Sequence, residues 1–310
     1  MLRVHDSRLV RAASLVPVVF VVAITAVEYA VFMGSRLLPA FARASDALAL
    51  LAVLLEAALF HFFVVCMVIA YYRVVLTDPG YVTAQMLERM DDAAQDALEQ
   101  DGGVGAHDTQ PHVALSRLPT CRRCRQPKPF RAHHCSFCNK CVLKMDHHCP
   151  WIANCVGERN YKFFFQFVAH GFLALAMIVF ALFADFQRSV GERGGGGRGR
   201  DLSIGALVAF VIAGSLALSL LIFVVVHSYL LLTGSTTIDF HTYGRSAPFS
   251  QGWRRNVAAV FGDRKRDWVL PTAPRIRRHA LVLNAAELEF LAADSVLGDD
   301  SSQLEDEVLL

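Results

Sequence analysis

Apolar and polar positions along the chain fall into long blocks, not short alternations. Four blocks, at about 12–33, 47–72, 163–184 and 204–232, are each long enough for a helix to cross a hydrocarbon core, which takes about 20 residues. The last block is the cleanest, with no charged residue from Ile204 to Leu232. The first contains Glu28, and the second contains Glu56 and His61. Ionisable groups at membrane depth are costly and usually face a bundle interior or a cavity. Glu28 has a second reading, a position near the interface facing water. The first block is longer than the apolar core of a signal peptide, and no clear small-residue cleavage pattern follows it.

Composition agrees with the blocks: 54% of residues are apolar and only 19% charged, against roughly 25% charged in soluble domains. Net charge is +2, so nothing global points to nucleic acid. Local charge says more. The loop between blocks two and three carries Arg122, Arg123, Arg125, Lys128, Arg131, Lys140, Lys144, Arg159 and Lys162. The segment after block four adds Arg245, Arg254, Arg255, Arg264, Lys265 and Arg266, and Arg3, Arg8 and Arg11 precede block one. Lys and Arg in membrane-flanking loops favour the cytosolic side, which places both termini and the central loop there. The loop "QRSVGERGGGGRGR" opposes this, because the same topology puts its four arginines on the far side.

These features divide the chain into a cytosolic N-terminus at 1–11, helices one and two within 12–76, and a cytosolic region at 77–162. Helices three and four follow within 163–232, joined by a Gly/Arg-rich lumenal loop at 187–201, and a cytosolic C-terminal region occupies 233–310. Residues 88–116 read as a partly helical or disordered insert, and the acidic tail ends in "EDEVLL", which looks like a dileucine sorting signal. No repeat of fixed period is read.

Seven of the eight cysteines lie between 121 and 155. The exception, Cys66, reads as a small buried apolar residue. The cluster runs C121-x2-C124-x9-H134-C135-x2-C138-x2-C141-x4-D146-H147-H148-C149-x5-C155. Cysteine pairs at x2 spacing with interleaved histidines are the layout of tetrahedral zinc sites, and reduced thiols in a cytosolic loop favour metal over disulfides. Seven cysteines with His133, His134, His147 and His148 are more than two four-ligand sites need. With two histidines as ligands, one cysteine and two histidines remain. In "KMDHHCPW" a carboxylate precedes the imidazoles and a thiol, which supplies nucleophile, base and orienting group. The group lies just before the third apolar block, where a thiolate can meet a reagent with a soluble head and a tail in the bilayer, such as a fatty acyl-CoA.

The block "KPFRAHHC" followed by "DHHCPWIANCVGERNYKFF" resembles the cysteine-rich domain of the DHHC protein S-acyltransferases (palmitoyltransferases). "TDPG" at 77–80 is similar to the family's DPG motif. "TTID" at 236–239 is similar to its TTxE motif, with Asp239 one methylene shorter than the usual Glu. "NVAAVFG" at 256–262 is similar to its short C-terminal motif. The resemblance implies an all-α membrane protein of four transmembrane helices, with a loop-rich, two-zinc cysteine-rich domain (about 119–162) facing the cytosol between helices two and three.

It implies Cys121, Cys124, His134 and Cys141 on one zinc ion, and Cys135, Cys138, His148 and Cys155 on the other. Cys149 is then the nucleophile that carries an acyl thioester, His147 its general base and Asp146 the group that orients His147. Trp151 is placed near the mouth of an acyl cavity, with Thr236, Thr237 and Asn256 bracing the site. Small residues of block three, Ala169, Gly171 and Ala174, either leave room for the chain or allow close helix packing.

The implied partners are fatty acyl-CoA as co-substrate (palmitoyl by default), membrane-associated proteins with cytosolic cysteines, and the lipid bilayer, with no nucleic acid. Golgi or ER membranes are the expected compartment, with the plasma membrane as the alternative. A non-catalytic zinc-stabilised membrane adaptor is the rival reading, and it leaves the spare Asp-His-Cys set unexplained.

Overall fold

In a computed structural model of the chain, residues 13–90, 92, 118–194 and 204–273 are described. The N-terminal arginines, nearly all of the 88–116 insert, residues 195–201 of the Gly/Arg-rich loop and the acidic tail lie outside them. Four helical stretches are long and apolar enough to cross a bilayer: Val16–Ala42, Ala47–Leu76, Tyr161–Arg188 and Ile204–Thr233.

The first stretch is built from α1 (Val16–Phe32), a single π-helical segment at Met33–Leu37 and α2 (Leu38–Ala42). Then come α3 (Ala47–Leu76), α4 (Tyr161–Gly194) and α5 (Ile204–Thr233). Asp46 starts α3 as an N-cap, its Oδ1 accepting the Ala49 N–H at 2.8 Å. Large apolar side chains point outward from all four stretches, among them Val19, Leu48, Phe180 and Leu218. Small ones turn inward: Ala206, Ala209, Ala213 and Ala217 are buried along one face of α5. This inverted pattern suits a lipid surround, where close backbone approach through small residues drives helix packing. Gly171 shows the second of the two readings of α4, since a Cβ there would lie 3.2 Å from Leu220 and 3.4 Å from the Met67 sulfur.

The ionisable groups inside the spans face the bundle. Arg36 holds Glu56 through two bonds of 3.0 and 2.8 Å and reaches Asp185 at 3.3 Å, tying three spans together. His61 contacts the Tyr29 hydroxyl at 3.1 Å and the Ala57 carbonyl at 2.7 Å. Glu28 is buried, which removes the water-facing reading, and its carboxylate oxygens have no hydrogen-bond partner among the described residues.

Between α3 and α4 the chain forms two small antiparallel hairpins. β1 (His133–Cys135) pairs with β2 (Lys140–Val142), and β3 (His147–Cys149) pairs with β4 (Asn154–Val156). Short helices α6 (Thr237–Tyr243), α7 (Trp253–Phe261) and α8 (Lys265–Val269) follow α5.

The hairpins are fastened to the membrane helices at the DPG turn. Asp78 Oδ1 accepts the N–H groups of Gly80 and Tyr81 at 2.7 and 2.8 Å, and Gly80 takes a φ of +111° that favours glycine. Asn154 donates to the carbonyls of Val74, Val75 and Thr77, which the end of α3 leaves without helical partners.

Gly157 sits at the tightest approach in this junction. A Cβ there would lie 2.6 Å from both the Pro79 carbonyl oxygen and the Val142 Cγ1. Gly157→Ala should therefore cost about 1–3 kcal/mol through overpacking. Gly214→Ala, where nothing lies within 4 Å, should leave the thermal midpoint in detergent unchanged, and the comparison of the two midpoints checks the assignment.

Candidate active site and metal clusters

Successive side chains of a strand point to opposite faces, so "HHC" in β3 splits its residues by position. His148 turns to one face, and His147 and Cys149 turn to the other. On the first face, His148 Nδ1 lies 3.6 Å from the Cys135 sulfur and 3.5 Å from those of Cys138 and Cys155. The first hairpin repeats this: His134 Nδ1 is 3.6, 3.2 and 3.9 Å from the sulfurs of Cys121, Cys124 and Cys141. These separations match the edge of about 3.6 Å expected when sulfur and nitrogen share a tetrahedral zinc ion. Cys121, Cys124, His134 and Cys141 thus form one cluster that can hold a metal ion, and Cys135, Cys138, His148 and Cys155 form another. In each hairpin the ligand pair stands directly opposite, His134 to Cys141 and His148 to Cys155.

The two clusters reveal a period that the sequence reading missed. Every ligand of the second lies 14 residues after its counterpart in the first. The same step carries Cys135 to Cys149, where Ile152, Lys162 and Ala169 stand at the places of the remaining ligands. Interleaving hid the repeat, because Cys135 and Cys138 belong to the second cluster while lying within the span of the first.

On the other face, Cys149 is buried in an apolar cluster with Tyr71, Phe163 and Phe164. His147 Nδ1 lies 2.7 Å from Asp146 Oδ2, and Cys149, two residues on, shares the imidazole's side of β3. Asp146 is fully enclosed and receives two further bonds from Thr237, the backbone N–H to Oδ1 at 2.9 Å and the hydroxyl to Oδ2 at 2.8 Å. Burial alone would raise the Asp146 pKa, but the bonds from His147 and Thr237 hold it below the usual carboxylate range. Burial alone would lower that of His147, but Asp146 and Cys149 push it up to about 9. An imidazole so placed is a ready proton acceptor for the neighbouring thiol.

The residues expected to brace the site stand in different places. Thr237 touches Asp146 directly. Thr236 is the N-cap of α6, where its hydroxyl accepts the Asp239 N–H at 3.1 Å and Asp239 Oδ2 accepts the Thr236 N–H at 2.8 Å. The shorter carboxylate thus completes a capping box, and it also takes Arg131 as an ion pair while Arg131 donates to the Gly234 carbonyl at 2.9 Å. Asn256 sits farther off, donating to the Leu232 carbonyl at the end of α5 at 2.7 Å and accepting the Gln251 N–H at 3.0 Å. Trp151 lies in a tight turn at Pro150–Ile152, half-exposed and 6.0 Å from the Phe20 ring of α1.

Two contributors were not singled out in the sequence. Tyr71 donates to the Trp151 carbonyl at 2.9 Å, fixing the turn that follows Cys149. Arg131 was visible only as loop charge. The "KPFR" stretch around it, which fits the family block, was the one available pointer.

The profile of the DHHC palmitoyltransferase family matches residues 115–244, which hold both metal clusters, the Asp146–His147–Cys149 set and Thr237. Four membrane-length helices around such a module define a membrane-embedded thiol acyltransferase. The probable protein S-acyltransferase 12 of Arabidopsis thaliana is 36% identical over 259 residues, covering 82% of this chain and 85% of that protein. The human palmitoyltransferase ZDHHC2 is 31% identical over 229 residues, covering 68% of this chain and 61% of that one. Human palmitoyltransferase ZDHHC15 is 37% identical over 161 residues, 49% of this chain and 46% of that one. The chain belongs to the DHHC palmitoyltransferase family and is a protein S-acyltransferase.

Removing one ligand separates the metal-binding thiols from the spare one. Cys155→Ser should lower bound metal from about two equivalents to about one, and Cys149→Ser should leave both, as read by elemental analysis of the purified proteins.

Proposed function

We propose that the protein moves a long fatty acyl group, palmitoyl by default, from acyl-CoA to cysteine thiols of membrane-associated proteins, by way of an acyl thioester on Cys149. The supporting observation is the chain of hydrogen bonds from Thr237 through Asp146 to His147, with the buried Cys149 two residues further along the same strand. In the first step the Cys149 proton passes to His147 Nε2, and the sulfur attacks the thioester carbonyl of acyl-CoA. The carbon–sulfur bond to CoA breaks, and the CoA thiolate leaves with the proton from His147. In the second step the thiol of a target protein gives its proton to His147 and attacks the acyl-Cys149 carbonyl. Cys149 leaves as the thiolate and recovers the proton. Asp146 keeps its charge throughout and fixes the ring so that Nε2 faces the thiol.

Both metal clusters offer four protein ligands each, the closed arrangement of structural zinc. Zinc bound there would fix the two hairpins and so hold β3 in register. It adds no Lewis-acid role, because no coordination position is left for substrate. Trp151, two residues after Cys149 and packed on Phe20 of α1, is the residue assigned to the mouth of the acyl cavity on this reading. The Lys and Arg content of the central loop supports a cytosolic active site.

Incubation of the purified enzyme with an alkyne-tagged palmitoyl-CoA tests the reading. Hydroxylamine-labile label is expected on the wild type and none on Cys149→Ser, with metal content equal in both. Equal labelling of the two proteins would instead favour the adaptor reading. Thr237→Val keeps the shape of the side chain and removes its hydroxyl bond to Asp146. It should slow acyl-enzyme formation about 10- to 100-fold, as measured in single turnover.

A further inference from the structure

His227 lies two turns before the end of α5, is 4% exposed and takes no part in the steps above. Packing alone does not call for a histidine there. Phe223 stacks on its ring at 6.1 Å, and Phe164 meets it edge-on at 5.0 Å, so a phenyl ring would fill the same space. A polar ring inside a membrane helix is a cost that function usually explains.

The polar contact runs to one residue. The Tyr161 hydroxyl lies 3.1 Å from His227 Nδ1 and 3.4 Å from the His227 backbone carbonyl. With Nδ1–H donating to the phenol oxygen and the phenol O–H donating to the carbonyl, both bonds of Tyr161 close on one residue. The first residue of α4 is thereby clasped to α5.

Phe164 follows Tyr161 by three residues and so shares its face of α4. It forms a triangle of rings with two imidazoles, edge-on to each, 5.2 Å from His147 at 75° and 5.0 Å from His227 at 74°. The rings of His147 and His227 are themselves 6.1 Å apart. The bond from Nδ1 to Asp146 holds one edge of the His147 ring, and the Phe164 and His227 rings pack against the rest of it.

We infer that His227, clasped to Tyr161, is a positioning residue that fixes the ring plane of His147 and so aims its Nε2 at Cys149. The inference rests on the nucleophile-and-base reading above. His227 has no contact with the thiol and acts through the His147 ring, directly and by way of Phe164.

The test uses the full-length enzyme with four variants: His227→Phe, His227→Asn, Tyr161→Phe and Asp146→Asn. Three quantities are read: the single-turnover acylation rate at saturating palmitoyl-CoA, the KM for palmitoyl-CoA, and the rate at which iodoacetamide alkylates Cys149. Alkylation needs no acyl chain, so it reports the base and not the acyl cavity. His227→Phe and Tyr161→Phe should slow both rates about tenfold, with KM and metal content unchanged. His227→Asn, whose amide can occupy the place of Nδ1, should recover both rates to within about twofold of wild type.

Wild-type rates in both Phe variants would overturn the inference. So would equal slowing by His227→Asn and His227→Phe, or a raised KM with normal alkylation, which marks His227 as cavity wall alone. Tyr161→Phe removes one oxygen and no bulk, so it carries the comparison even where His227→Phe fails to fold. Normal alkylation in Asp146→Asn would sink the nucleophile-and-base reading itself, and the positioning role with it.

Discussion

The carboxylate of Asp146 is the point on which the site depends. It is buried beside a membrane bundle, where a bare charge is costly, and three hydrogen bonds offset that cost. The bonds come from different parts of the chain: His147 from the second hairpin, and Thr237 from the first turn after α5. The Asp146–His147 pair is therefore set only when the hairpin and the segment after the last membrane helix have come together. Formation of this pair and tertiary assembly are the same event here.

Around this point the joints are made by asparagines at helix ends. Asn154 closes the C-terminal carbonyls of α3, and Asn256 closes that of Leu232 at the end of α5. Asn160 precedes α4, accepts the Gly157 N–H at 2.9 Å and donates to the Cys155 carbonyl at 2.8 Å. Helix ends leave backbone groups unpaired, and near a bilayer these groups have little water to turn to. One amide supplies both donor and acceptor, so a single side chain can finish a helix and fasten a loop to it. The membrane helices thus position the hairpins through side-chain amides bonded to helix-end carbonyls.

The four spans were legible because long apolar blocks have few other uses, and the ligand sets were legible because x2 spacing is distinctive. The choice between His133 and His134, or between His147 and His148, needed the family resemblance in the sequence. The structure supplies the physical reason, since alternation along β1 and β3 turns neighbouring residues to opposite faces. Arg131, Asn154, Tyr71 and the Tyr161–His227 pair were not legible. Each is a single polar residue in a stretch whose pattern is set by something else, and its partner lies about 70 to 110 positions away or across two helices. The role of Asp239 was hidden for a different reason. Its contact with Arg131 depends on how α6 begins, and the shortened side chain gave no hint of a capping box.

The 14-residue step that links the two metal clusters also bears on the ancestry of the site. Tandem copying of a short unit, with each copy handing its first two cysteines forward to the next metal, would produce this interleaving. Cys149 then stands at the head of a third unit that was never completed, since Ile152, Lys162 and Ala169 occupy the other ligand places. A thiol inherited from a metal-binding plan, relieved of its metal by the lack of partners, would have been free for recruitment to another chemistry. On this view the nucleophile is a surplus ligand, and the enzyme arose where a repeat ran out.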